Sequence, residues 1–346
     1  MTLIRVFFAT CVSLVSILTL PANAQQNNTD WKWGLEVYGW LPDINSTLGN
    51  GTDFKISQTD ILDNLEFTLQ GNIFANKGNW TIFADTVLLQ LGADDDADFS
   101  RSFETSTSQS IEESVSEALS FSGPLGLVNV NVNANAQLDI EGDAGIKLDT
   151  LLYVSADVRL RSAISTFGAG YTFFQRGNTT LTAIGGVRYL YLDVDTDVDV
   201  QVELEGEFDA EVEGEVSGEI EVEVETPFGS GETSREGSAQ FSGELSRNFS
   251  QSLRQQVSFD ASDHNWDGII GIQGATKLNE KWTLLYYADI GTGDSQYTAQ
   301  AKVGLSYALN NFDLTFGYRH LHYELDSPVL DELDVSGPYV GAIFRF

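Results

Sequence analysis

Beyond position 11 the chain holds no cysteine, so disulfides, thiolate nucleophiles and Cys-ligated metals are outside its means. Positive charge is scarce as well: 18 Lys and Arg stand against 51 Asp and Glu, a formal charge of -33. A polyanion of this kind repels a phosphate backbone, which excludes nucleic acid as a partner. The three His confine imidazole chemistry to positions 264, 320 and 322. After residue 24 no run of about 18 apolar residues occurs, so no membrane-spanning helix can form. Phosphate-binding Gly loops, nucleotide fingerprints and Cys-x-x-Cys pairs are missing too.

What is present begins with a targeting pattern. Arg5 supplies a positive start, Val6 to Leu20 an apolar core, and Pro21-Ala22-Asn23-Ala24 a small-residue cleavage site. Residues 1–24 therefore read as a secretory signal containing Cys11, and 25–346 as the mature chain. At the other end, "GPYVGAIFRF" alternates: Val340, Ala342, Phe344 and Phe346 share one face, and Tyr339, Gly341 and Arg345 share the other. Soluble proteins usually let their last residues fray in polar sequence. An aromatic-rich final strand suits a barrel closed in lipid instead, and resembles the insertion signal that the barrel assembly machinery reads in outer-membrane proteins.

Ten stretches of strand-like alternation fall near 33–41, 66–76, 80–91, 159–174, 179–192, 265–277, 281–290, 297–309, 312–324 and 334–346. Tight polar turns ("NKGN" at 76–79, "QRGN" at 175–178, "LNEK" at 278–281, "LNN" at 309–311) alternate with long connections. That rhythm is the one expected of periplasmic turns and extracellular loops. The fold class expected is all-β: a transmembrane, antiparallel, up-and-down β-barrel of about ten strands in the cell outer membrane. Long acidic, β-rich extracellular insertions are expected at about 93–158 and 193–264, and eight or twelve strands result if these subtract or add spans.

Side-chain parity separates lipid from lumen. Trp33, Leu35 and Val37 oppose Lys32 and Glu36, and Leu314, Phe316 and Tyr318 oppose Asp313 and Arg319. Charges are costly in lipid, so Lys32, Glu36, Asp85, Arg188, Asp289, Arg319 and Arg345 are expected to point inward. Tyr189, Tyr191, Tyr286, Tyr287, Tyr323, Trp80, Trp266 and Trp282 sit near strand ends and are expected to form aromatic girdles.

The stretch "VDVQVELEGEFDAEVEGE", 198–215, alternates apolar and acidic residues without a single Lys or Arg. Arg188 must avoid lipid, so Leu181, Ala183, Val187 and Tyr189 are the lipid-facing set on the strand that leads into it. Carried on without a slip in phase, the odd face becomes Asp193, Asp195, Asp197, Asp199, Glu203 and Glu205, and the even face Val194, Val198, Val200 and Val202. A strand that leaves the bilayer upward would do this, with its apolar side turned to a small extracellular sheet to which 127–154 contributes. Neighbouring carboxylates on one face lie about 7 Å apart and cost about 0.6 kcal/mol per pair in water. A Debye length of about 8 Å screens only part of that. Diffuse attraction of Ca²⁺ or Mg²⁺ by the six acidic residues named is the expected relief, with no resident cofactor otherwise.

Several pieces together resemble a widespread family of uncharacterised proteobacterial outer-membrane β-barrel proteins: "WKWGLEVYGWLP" (31–42), "TDILDNLEF" (59–67), "GGVRYLYLD" (185–193), "YYADIGTGDSQYTAQAKVGLSYAL" (286–309), "FGYRHLHYELD" (316–326) and "SGPYVGAIFRF" (336–346). The resemblance implies an outer-membrane barrel and carries no reaction or ligand with it. The stretches near 93–155 and 197–262 are longer than that family's usual loops.

Candidate chemistry is thin. "HLHYE" places His320, His322 and Glu324 on one strand face, a spacing at which imidazoles chelate Zn²⁺ or Cu²⁺, at the outer rim. "DDDAD" at 94–98 and "DVDTDVD" at 193–199 lack the Gly and Glu of an EF-hand loop. Ser262, Asp263 and His264 are adjacent in sequence, which is poor triad geometry because consecutive strand residues face opposite sides. No catalytic residue is expected, and the chain reads as a non-enzyme. A structural or surface-interaction barrel that meets lipopolysaccharide and outer-membrane lipid ranks ahead of a narrow porin-like channel, and a surface hydrolase comes last.

Overall fold

The computed structural model describes residues 30–48, 53–107, 111–140, 144–210, 214–226, 229–241, 245–325, 327 and 330–346. The expected signal segment, with Cys11, lies outside the described residues. In chain order the elements are β1 (Lys32–Trp40), β2 (Asp43–Leu48), β3 (Asp53–Ile56), α1 (Gln58–Asp63), β4 (Leu65–Lys77), β5 (Trp80–Thr107) and β6 (Ile111–Ser122). A 3₁₀ turn (Pro124–Gly126) follows, then β7 (Asn129–Ile140), β8 (Ala144–Arg176), β9 (Thr179–Ala210), β10 (Gly214–Thr226), β11 (Gly229–Phe241) and β12 (Leu245–Lys277). β13 (Trp282–Gly293), β14 (Tyr297–Ala308), β15 (Asp313–Glu324) and β16 (Leu330–Arg345) complete the chain.

Ten of these strands close into an antiparallel ring in the order β1-β4-β5-β8-β9-β12-β13-β14-β15-β16, with β16 returning to pair with β1. Closure leaves no unpaired strand edge in the hydrocarbon, the condition for a sheet to exist there. The outward belt is greasy: Phe67, Ile73, Phe167, Ile270, Ile290 and Val340 are exposed, the last three by 59–68% of their surface. An exposed apolar belt on a closed barrel is the architecture of an outer-membrane protein, and the outer membrane is where this chain resides. No helix among the described residues is long and apolar enough to cross a membrane.

Two of the short turns at one end of the barrel are tight because glycine opens each of them. Lys77 pairs with Trp80 and Arg176 with Thr179, each leaving a two-residue Gly-Asn loop. Gly78 and Gly177 both sit at φ +58°, the left-handed conformation that the first position of a type II′ hairpin demands. The expected turn near 309–311 is a four-residue loop, 309–312, between Ala308 of β14 and Asp313 of β15.

The two acidic insertions are not loops. β5, β8, β9 and β12 are 28 to 33 residues long and run on unbroken past the membrane, where Asp94 still pairs with Asp157, Val200 with Val154, and Leu245 with Ala210. From Asp193 to Ala210 alone, at about 3.3 Å per residue, β9 climbs roughly 60 Å. A second sheet, ordered β11-β10-β7-β6, stands against this four-stranded extension. The proposed partner segment 127–154 is therefore split: 129–140 belongs to the facing sheet and 144–154 to the hydrogen-bonded neighbour of β9.

Between the sheets Val130, Val132, Ile220, Val222 and Val224 meet Val154, Ala156, Val158, Val198, Val200 and Val202, each at most 1% exposed. Burying one such side chain gains about 1.5–3 kcal/mol. That exceeds the carboxylate repulsion of about 0.6 kcal/mol per pair, so the apolar half of the alternation dictates the fold and the acidic half is tolerated. Beside the barrel mouth, β2 and β3 extend the top of β16, and α1 follows them. Ser57 caps α1 in a closed capping box with Asp60, whose carboxylate is held below its ordinary pKa by the Ser57 hydroxyl and backbone N–H.

Val200→Asp should drive an uncompensated carboxylate into the dry seam between the sheets and open the projection to protease, while the barrel keeps its resistance to unfolding in detergent. Limited proteolysis followed by fragment mapping reads both outcomes. Gly177→Ala, by contrast, should cost the barrel only about 1 kcal/mol, the strain of one left-handed residue, read as a small shift in the urea midpoint.

Candidate functional site

The lumen at membrane depth is filled by side chains of opposite charge that reach across it. Arg188 and Asp289, both with fully buried side chains, pair at 2.5 Å, and Arg188 also donates to Thr166 and Thr298 hydroxyls at 3.2 and 3.1 Å. Arg319 pairs with Asp85 at 3.0 Å and donates to the Tyr38 hydroxyl at 2.9 Å and the Gln300 carbonyl at 2.6 Å. Tyr38 in turn donates to Asp85 at 3.0 Å. Lys302 reaches Glu36 at 3.4 Å, and Thr315 donates to the same carboxylate at 3.0 Å.

These contacts cross the ring. β5 and β15 stand four strands apart round the barrel, and β1 and β14 three apart. The cations are further held over aromatic faces: Lys302 lies 4.4 Å from the Tyr339 ring centroid and 4.8 Å from that of Tyr38, and Arg319 lies 4.7 Å from that of Trp40. Gly304 and Gly317 make the space that the Tyr339 ring occupies, since a Cβ on Gly304 would sit 2.1 Å from its hydroxyl. The result is a polar plug.

Above the plug the lumen turns apolar. Trp40, Ile44, Phe54, Val87, Leu160, Ile164, Leu192, Leu330 and Val335 line a cavity of about 50 Å³, with Gln70 and Ser162 the polar members of its wall. That is well short of the ~150 Å³ apolar cavity that admits a benzene. The walls of this chamber run on into the core of the projecting sandwich.

Of the charges expected to face inward, Glu36, Asp85, Arg188, Asp289 and Arg319 do so. Lys32 and Arg345 are corrections. They share the inward parity but sit at the short-turn ends of their strands, exposed, where Arg345 pairs with Asp313 and hydration is free. Lys302 and Asp267 were missing from the expectation; Asp267 is 1% exposed and accepts from the Ser295 N–H and hydroxyl at 3.0 and 2.7 Å. Two girdle assignments also fall. Tyr323 is fully buried and Tyr287 shares the inward face of Asp289, both following the strand parity. Tyr189 with Trp266 and Trp282 with Tyr307 do form outward aromatic pairs, at 4.6 and 4.8 Å.

The acidic face finds part of its charge balance within the chain. Arg161 bridges Asp193 and Asp195, each at 2.9 Å. Arg254 grips Asp199 at 2.5 Å and holds its own proton more tightly for it, while Ser258 donates to Asp197 at 2.6 Å. Glu203 accepts from Gln201 at 3.3 Å, and Glu205 is exposed. On the facing sheet Glu221, Glu223 and Glu225 line the outward side, and the Glu232 carboxyl is pushed up in pKa by sharing a proton with Glu221. Ser262 and His264 lie on the exposed face of β12 and Asp263 on the other. His322 is brought to Glu332 and Asp334 of the neighbouring strand, residues that no spacing within "HLHYE" could indicate.

No family model and no curated protein matches the chain. Among solved structures it is similar to the transport unit of the autotransporter AIDA-I from Escherichia coli, with 11% identity and a TM-score of 0.28, over 98% of this chain and 97% of that one. It is also similar to the translocator domain of the autotransporter NalP from Neisseria meningitidis, with 10% identity and a TM-score of 0.22, over 100% and 97%. A third likeness is to a TodX mutant, a monoaromatic hydrocarbon channel, with 9% identity and a TM-score of 0.27, over 91% and 90%. At scores this low the likenesses carry no argument, and the barrel stands on its own ring of hydrogen bonds.

Arg319→Met should strand the Asp85 carboxylate in the lumen and cost about 3–5 kcal/mol, read as a lower urea midpoint in detergent. Adding Asp85→Leu should recover most of that loss, because the buried charge is then gone as well.

Proposed function

We propose that the barrel is an anchor and the projecting sandwich the working part: a non-enzymatic surface-interaction protein that holds a rigid acidic blade above the outer membrane. The observation that carries this reading is the unbroken passage of four spanning strands into a packed extracellular sandwich, with the lumen beneath it filled by ion pairs. A stalk continuous with its anchor transmits no hinge motion and keeps its faces at a fixed height.

Both outer faces of the blade are acidic, so the partner chemistry that fits is cationic or bridged by cations. Ca²⁺ or Mg²⁺ gathered along Asp193, Asp195, Asp197, Asp199, Glu203 and Glu205 would link the blade to the phosphates of lipopolysaccharide or of a neighbouring cell. The arginines that meet Asp193, Asp195 and Asp199 leave Asp197, Glu203 and Glu205 as the members of that set without a cationic partner among the described residues. Delivery by the barrel assembly machinery through β16 agrees with the place of that strand at the seam. Kinship with the uncharacterised proteobacterial barrel family belongs to the same reading, since the motifs that resemble it lie in the ring and its rim.

The test joins Asp94 to Asp157 and Val194 to Ala261, pairs that already face each other in register, through short turns that delete the blade. The shortened chain should fold as a barrel and lose Ca²⁺-dependent binding to lipopolysaccharide vesicles. In planar bilayers the full-length protein should give no conductance steps, whereas Arg319→Ala with Gln300→Ala should open a leak. Steady channels in the unaltered protein would sink the anchor reading.

A further inference from the structure

The exposed side of the β15–β16 hairpin carries imidazoles among its carboxylates, unlike the acidic faces of the blade. His322 lies opposite Asp334 and Glu324 opposite Glu332 in the antiparallel register, with His320 one outward position nearer the membrane. Parity sets these side chains outward, because the intervening Leu321, Tyr323, Leu333 and Val335 are all buried. His322 Nδ1 stands 3.0 Å from an Asp334 oxygen and 3.9 Å from a Glu332 oxygen, and His320 Nε2 is 3.7 Å from the same Asp334 oxygen. One donor atom each from His322, Glu332 and Asp334 falls within 4.8 Å of the others.

We propose that this cluster is a Zn²⁺ site, with His322 Nδ1, Asp334 and Glu332 as ligands and His320 Nε2 as the fourth. Tetrahedral Zn²⁺ with bonds of about 2.0–2.1 Å sets its ligand atoms about 3.3 Å apart. The three distances bracket that edge. The Tyr297 ring packs on the His322 imidazole at 5.1 Å and restrains its orientation. The two imidazoles supply the nitrogen donors that favour Zn²⁺ and Cu²⁺ over Ca²⁺ or Mg²⁺, which separates this site from the diffuse attraction of the acidic strands. The bound ion would clip β15 to β16 at the extracellular rim, where β16 begins to pair with β2.

Isothermal titration of Zn²⁺ into the full-length protein in detergent, with millimolar Ca²⁺ present to occupy the acidic faces, tests the proposal. One saturable equivalent is expected. His322→Ala and Asp334→Asn should each weaken it at least about tenfold, and Glu205→Gln should leave it unchanged. Co²⁺ in place of Zn²⁺ should give the visible absorption of a tetrahedral centre, lost in His322→Ala. Each variant is first checked for the barrel's resistance to unfolding in detergent, so a folding defect is not mistaken for lost binding. Absence of saturable Zn²⁺ binding, or a single equivalent untouched by His322→Ala, overturns the assignment.

Discussion

A backbone that enters hydrocarbon must satisfy every N–H and C=O from within, and the seam between β1 and β16 is where this chain meets that demand. Trp33 and Phe346 exchange both backbone hydrogen bonds at 3.0 Å at the short-turn end, and the Leu41 N–H donates to the Pro338 carbonyl at 3.1 Å at the other. Everything else in the architecture is permitted by that closure. Unpaired sheet edges appear only once the strands have left the membrane, where β4 ends beside Leu91 and β13 beside Asp267. There the new edge of β5 carries Asp94, Asp95, Asp96 and Asp98, four charges that discourage another strand from docking.

Strand parity then does the rest. On β9 one face points inward from Ile184 and Arg188 through Val194 to Val202 without a slip, yet the chemistry of the two faces is exchanged on the way. Below Leu192 the inward face carries the charge and the outward face the grease; above it the inward face is Val and the outward face Asp and Glu. The exchange marks the level at which lipid gives way to water. The hydrophobic effect moves from outside the sheet to between two sheets, and the hydrogen-bond ladder does not register the change.

That continuity explains what could and could not be read from residues. Tight turns, the ring of ten and the lipid or lumen assignment of Trp33, Leu314 and Arg319 were legible because period-two patterning and Gly-Asn punctuation are local signals. The strand ends expected near 91 and 192 were not, because a length limit set by the bilayer does not apply to strands that continue in water. Tyr287 and Tyr323 were misplaced by reading aromatic type ahead of parity, although Asp289 and Arg319 on the same strands already fixed their faces. Lys302 against Glu36, Arg254 against Asp199 and Asp334 against His322 are meetings of distant positions that only pairing register creates.

The plug bears most directly on what the barrel is for. A conduction path through its middle would have to part Arg319 from Asp85 and Gln300, or Arg188 from Asp289, and hydrate charges whose partners are now within 3.0 Å. Leaving one member of such a pair buried alone costs about 3–5 kcal/mol, a large share of the 5–15 kcal/mol that holds a typical domain folded. The same pairs tie together strands two to four places apart round the cylinder, so the energy that would obstruct a pore would also stiffen the proposed anchor. A tall blade on a ring of ten strands needs such bracing, because any ovalisation of the ring would be carried upward along four continuous strands and would shear the sandwich packed on them.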